Sequence, residues 1–346
     1  MVGAVGDALG TVEGALGVLA EFAEPLGWLS LGLFLAGILL EYYDREYARP
    51  VLAGGWVVFA LFWLTLVYPW FTVDQSIIRG VGATVAVPLS ALVAKTLYEG
   101  RDSLFTLSRA VTIMGLVYAP FVTIRQLREW LTLTVVDHTG WVMGLLGYNP
   151  PVVTRLSEVA QTVDREVDVN RSLLGPEGPK EFAFENTFVF VQGDGGTITY
   201  TIIIACTGIG SIAVMMGLIG AVRAPLRRKL RALAVAVPVI YVLNIVRNVF
   251  ISVNFGKQYM NIFPDATMML FGLDNELRVS YIWADRILAQ SASVVAMVFV
   301  LWLVLREVPE VIEPVEDVLF LLTGNEYDLA SALDMDVERA TADPAD

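Results

Sequence analysis

Residues 197–222, TITYTIIIACTGIGSIAVMMGLIGAV, run for 26 positions without a charge. A segment of that length rises about 39 Å as a helix, more than enough for a bilayer core of about 30 Å. The stretch carries Cys206, the single cysteine of the chain. RAPLRRKLR follows at 223–231, the densest positive charge in the sequence. An uncharged run ending in a basic cluster constrains the chain to a membrane, and other long runs extend the constraint. The chain is 346 residues long, 56% hydrophobic, with a mean hydropathy of +0.63. That excess lies in uncharged blocks, so the expected class is an all-α polytopic membrane protein.

The first four spans are expected at about Pro25–Tyr43, Val51–Thr72, Ile77–Thr96 and Leu104–Ile124. Segment 126–147 alternates apolar and polar residues and holds Asp137 and His138, the only histidine. It reads as an interfacial or re-entrant helix, because one more crossing would put the upstream arginine-bearing loops opposite RAPLRRKLR. From Tyr148 to Gln192 the chain is polar and then β-prone. Gly193, Asp194, Gly195 and Gly196 form a turn signal between FENTFVFVQ and TITY. A small extracytoplasmic β-containing insert is expected here. Three further spans, Thr197–Val222, Ala232–Phe255 and Ile287–Leu305, bring the total to about seven.

The expected organisation is thus a lead-in (1–24), four helices (25–125), an interfacial helix with insert (126–196), three helices (197–305) and an acidic tail (306–346). The lead-in lacks a basic n-region and carries Asp7, Glu13, Glu21 and Glu24, so it does not read as a cleavable signal peptide. The end of the tail, DMDVERATADPAD, reads as disordered.

Basic residues fix the expected orientation. Arg45 and Arg49, then Lys95, Arg101 and Arg109, then residues 223–231 occupy alternate loops, which should be cytoplasmic. A net charge of −13 argues against nucleic acid as a partner, and 19 arginines against 4 lysines suit a medium of concentrated salt. One cysteine excludes an intramolecular disulfide and a cysteine-based zinc site. No motif implies a cofactor or metal.

Cys206 lies 17 residues before Arg223, Arg247 16 after Arg231, and Arg286 20 before Arg306. Continuous helices would lift the three to roughly 25, 24 and 30 Å. Three separate spans thus deliver a thiol and two guanidiniums to one depth. A charge at mid-bilayer costs about 2.5–3.5 kcal/mol on insertion scales, so arginines there need a reason. Snorkelling or pairing with a buried acid is the plain alternative, and a lone thiol is often only a small buried hydrophobe. The chemistry these groups permit is acyl transfer. Cations favour the thiolate, the nucleophilic form, and a guanidinium can stabilise an oxyanion but cannot act as a base.

At ACTGIGS with Cys206, NIVRN with Arg247 and WADRIL with Arg286, the sequence resembles the exosortase/archaeosortase family, most of all its archaeal A type, over roughly residues 25–305. The third position is commonly histidine in bacterial members; here it is Arg286, which leaves the proton donor to the leaving amine open, with His138 a conceivable stand-in. The resemblance implies a membrane cysteine transpeptidase acting on exported proteins with a C-terminal signal: a Pro-Gly-Phe-type motif, a transmembrane helix and a basic tail. Cys206 would be the nucleophile, Arg247 would stabilise thiolate and oxyanion, and Arg286 would act electrostatically or orient substrate. A membrane lipid with an amine headgroup would be the acceptor. The competing expectation is a non-enzymatic transporter or anion-binding protein that uses Arg247 and Arg286, although no inverted repeat is visible. Other intramembrane proteases fit poorly: there is no H-E-x-x-H, and no histidine lies near Ser211 or Ser252 in sequence.

Overall fold

The computed structural model describes residues 19–154, 184–193 and 196–332. Most of the expected lead-in, much of the polar stretch before the sheet and the end of the acidic tail lie outside the described residues.

Four helices open the chain: α1 (Ala23–Glu41), α2 (Arg45–Thr72), α3 (Ile77–Tyr98) and α4 (Leu104–Thr123). They match the first four expected spans within a few residues, except that α2 also takes in the loop from Arg45. Asp44 caps α2 by accepting from the Glu46 N–H at 2.7 Å, and the Ser76 hydroxyl accepts from the Arg79 N–H at the start of α3. Prolines 50, 69, 88 and 120 sit inside these helices, as neighbouring spans permit. Next come α5 (Arg125–Leu145) and three short strands, β1 (Val152–Val153), β2 (Thr187–Val191) and β3 (Thr197–Thr201). Then follow α6 (Ile209–Ala221), α7 (Leu226–Gly256), α8 (Pro264–Phe271) and α9 (Leu277–Glu307), and finally α10 (Ile312–Thr323) and α11 (Leu329–Ala332). Among the described residues, α1, α2, α3, α4, α7 and α9 are the six helices long and apolar enough to cross a membrane.

The run at 197–222 is not one helix. Its first five residues pair with β2 in an antiparallel hairpin, from Thr187 opposite Thr201 to Val191 opposite Thr197, and β1 adds to the other edge of β2. β-Branched and aromatic residues suit that buried hairpin, and the Thr187 and Thr201 hydroxyls meet across it at 2.9 Å. A 3-10 turn at Ile204–Cys206 follows, and Gly208 at φ +80° redirects the chain into α6. The 13 residues of α6 rise about 20 Å, too little for a full crossing alone. Cys206 therefore stands in a turn ahead of a helix N-terminus, and the height counted back from Arg223 overstates its helical rise. The last span also begins earlier than the uncharged run, so Arg286 lies well inside α9, within a π-helical segment, Ile282–Ala289.

The chain divides into two compact units, 1–117 with 213–236 and 301–346, and 118–212 with 237–300; the division falls within α4, α6, α7 and α9. The first unit packs Phe34, Leu52, Trp56, Leu97 and Phe105 into one core, and the Trp56 indole donates to the Ser108 hydroxyl at 2.9 Å. Its basic loops are knit by carboxylates. Arg45 and Arg49 both pair with Asp102, Arg101 with Asp317, Arg228 with Glu310, and Arg231 with Glu307. The second unit packs the sheet, through Phe188, Phe190, Ile198 and Tyr200, onto α5 (Val135, Met143) and α7 (Ile245, Val249, Val253). Gly256 lets the Phe190 ring lie against the end of α7, where any side chain would collide with it.

Candidate active site

The site belongs to the second unit and is built outward from β3. The strand ends at Thr201, and the 3-10 turn that follows carries Cys206, partly exposed and free. Two side chains of α7 hold that turn. Asn244 and Asn248, one helical turn apart, each donate an amide N–H to the Cys206 carbonyl at 2.8 Å. The Asn248 carbonyl in turn accepts from the Tyr200 hydroxyl at 3.2 Å, tying strand, turn and helix together. Thr207 closes the turn, donating to the Ile204 carbonyl at 2.7 Å and accepting from the Ile209 N–H at 3.4 Å. The thiol-bearing residue is thus fixed by hydrogen bonds to its backbone, which leaves the sulfur free.

Arg247 sits between the two asparagines in sequence and donates to Asp285 at 2.5 Å. Asp285 is only 5% exposed, and its second oxygen lies 3.2 Å from the Arg286 guanidinium. One buried carboxylate therefore bridges both arginines. Arg286 also lies against the Tyr281 ring, 5.1 Å from its centre, and its Nε is buried without a hydrogen-bond partner. The π-helical segment carries Asp285 and Arg286, and such segments recur at functional positions.

Tyr200, outside the six membrane helices, is buried in β3 with its hydroxyl on Asn248. Burial pushes its phenol well above its ordinary value; Cys206 and Asp285 add to the shift and Arg247 opposes it. Asn244 and Asn248 bring the Arg247 stretch of α7 against the Cys206 turn, and Asp285 joins Arg286 to Arg247. With all three ionised, Asp285 offsets one of the two guanidinium charges. The surplus is a single positive charge.

His138 lies on α5, which packs against the Cys206 turn. Its Nδ1 is 2.6 Å from the Tyr241 hydroxyl, on the α7 face that also carries Asn244 and Asn248. Sequence reasoning missed what four residues do: the bridging by Asp285, the place of Tyr200, and the hold of Asn244 and Asn248 on the Cys206 carbonyl. The asparagines could have been found, since two amides flanking an arginine within an apolar span need partners as much as the arginine does.

Six apolar helices among the described residues define a multi-pass membrane protein, in which a partly exposed cysteine lies on the unit that also holds the arginine–aspartate–arginine array. The chain belongs to the transmembrane exosortase family, whose family model matches residues 24–274. It is 41% identical to archaeosortase A of Haloferax volcanii over 324 residues, 91% of this chain and 98% of that protein. It is 35% identical to archaeosortase A of Natronomonas pharaonis over 328 residues, 94% of this chain and 96% of that one. No solved structure matches the chain.

Proposed function

We propose that the chain is a membrane cysteine transpeptidase that cleaves a C-terminal sorting signal from exported proteins and passes them to an amine on a membrane lipid. The observation that carries this is the double amide grip on the Cys206 carbonyl beside a buried array with one surplus positive charge.

In the first half-reaction the Cys206 sulfur, as thiolate, attacks the carbonyl carbon of the scissile peptide bond. The negative charge moves to the carbonyl oxygen, where Arg247 offers its remaining guanidinium N–H groups. The C–N bond then breaks, and the leaving amine takes up the proton that the thiol gave up. A thioester remains on Cys206, and the C-terminal piece departs with a new amino terminus. In the second half-reaction the lipid amine attacks the thioester carbon, an amide forms, and the proton lost by the amine restores the thiol. Arg286, held by Asp285, orients the peptide electrostatically. The loop charges support an extracytoplasmic site, since Arg45, Arg49, Arg101 and residues 227–231 belong to the loops expected on the cytoplasmic side.

Purified chain reconstituted with an exported protein carrying a Pro-Gly-Phe signal, a hydrophobic helix and a basic tail should release the tail, and Cys206→Ala should not. Undiminished release by Cys206→Ala refutes the thiol mechanism.

A further inference from the structure

A cavity of about 450 Å³ opens beside the site, wholly within the second unit. Ile240, Leu243 and Arg247 of α7 form one wall, and Ala292, Ala296 and Met297 of α9 the other. The α9 wall recedes because small residues recur there at 289, 292, 293 and 296, positions that share one helical face. The cleft reaches from Arg247 to Val300, 15 residues beyond Asp285 and about 20 Å along the helix. Its lining is apolar except near Arg247 and Asn244 and at two serines.

We propose that this cleft takes one hydrocarbon chain of a membrane phospholipid, with the anionic phosphate against Arg247. Three observations select that occupant. The volume falls in the range of about 300–1,000 Å³ typical of small-ligand pockets, whereas a helix needs a trough about 10–12 Å across. The walls belong to membrane-crossing helices, so hydrocarbon is the surrounding solvent. The only charge in the lining is positive and lies toward one end, the polarity of a single-chain amphiphile with an acidic head. The last point deepens the proposed function and rests on it. Once Cys206 is a thioester the sulfur is neutral, and the surplus charge of Arg247, Arg286 and Asp285 has no anion. A lipid phosphate restores the balance and brings an amine on the same headgroup to the acyl carbon.

The test is photocrosslinking of the purified full chain with a phosphatidylethanolamine that carries a diazirine in one acyl chain. Crosslinks should concentrate on residues 240–250 and 288–300, and unlabelled phosphatidylethanolamine should compete them away. Ala292→Trp and the milder Ser293→Leu should each cut the yield about tenfold, with Cys206 still alkylated by maleimide at the native rate as the check on folding. A diazirine diacylglycerol, which lacks the phosphate, should crosslink several-fold less. Labelling spread evenly over all six membrane helices, or unchanged by both substitutions, overturns the proposal. So does a peptide of the substrate's C-terminal helix that displaces the probe and itself crosslinks in the cleft. Equal labelling by the diacylglycerol overturns the phosphate contact. Cys206→Ala should keep full crosslinking while losing tail release, so failure of the cleft and failure of the thiol chemistry are separable.

Discussion

Asp285 is the residue on which the site's electrostatics turn. Two guanidiniums inside a membrane protein without a counter-charge would repel each other and lose most of their solvation. The carboxylate between them reduces the surplus to one charge and fixes where the Arg247 fork points. Asp285→Asn should therefore lower stability by about 3 kcal/mol, the low end for breaking a buried pair, because Arg247 retains some exposure. The thermal midpoint in detergent reads this loss. Arg247→Lys tests the fork itself: a point charge keeps the attraction but loses the planar donors. Tail release should fall about 10²-fold, the cost of removing an oxyanion donor, with protein yield unchanged. As candidates, Arg247 and Arg286 stood out in the sequence as charges in apolar blocks, and Cys206 as the single thiol. The Asp285 bridge did not. In WADRIL the acid reads as the neighbour of Arg286, and nothing local reveals that its shorter contact is with Arg247, 38 positions earlier. His138 was visible only as a lone histidine; its contact with Tyr241, 103 positions on, belongs to the packing of α5 on α7.

At the scale of elements, the stretch TITYTIIIACTGIGSIAV shows how hydrophobicity alone misleads. A continuous apolar run is compatible with a buried strand or a membrane helix, and length favoured the helix. The local chemistry favoured the strand: threonine, isoleucine and tyrosine alternate and face a partner, TFVFV, across a glycine-rich turn. The hairpin was legible from that turn; that it consumes the first five residues of the supposed span was not. The consequence is functional, because a thiol in a turn can be approached from more directions than one in mid-helix. Gly208 is the pivot. A side chain there would have to adopt φ near +80°, and its Cβ would lie 3.1 Å from the Asn244 side chain that holds the Cys206 carbonyl. Gly208→Ala should cost about 1–2 kcal/mol in backbone strain. It should also change the rate at which maleimide alkylates Cys206; an unchanged rate and midpoint would mean that Asn244 does not set the turn. The start of α9 was misplaced for a related reason. A charged pair normally ends an apolar run, but here Asp285 pairs with both Arg286 and Arg247, so the helix runs on through it.

For the whole molecule, loop charge is the readable signal. Arginines 45 and 49 share Asp102, so the start of α2 and the loop following α3 meet within the first unit, as expected of ends on one side of a membrane. Glu307 at the end of α9 and Glu310 just beyond it pair with Arg231 and Arg228; the sequence showed them only as part of an acidic, proline-punctuated stretch. With these loops cytoplasmic, an impermeant maleimide added to sealed right-side-out vesicles should label Cys206. Labelling confined to inverted vesicles would reverse the orientation.

Intact-protein mass spectrometry of the chain incubated with a sorting-signal peptide, quenched in acid, reads the thiol chemistry itself. The expected result is an added mass equal to the acyl portion of the peptide, mapped to Cys206, removed by neutral hydroxylamine and absent from Cys206→Ala. An adduct on any other residue, or tail release at the native rate with no adduct on a wild-type chain held without acceptor lipid, would contradict it.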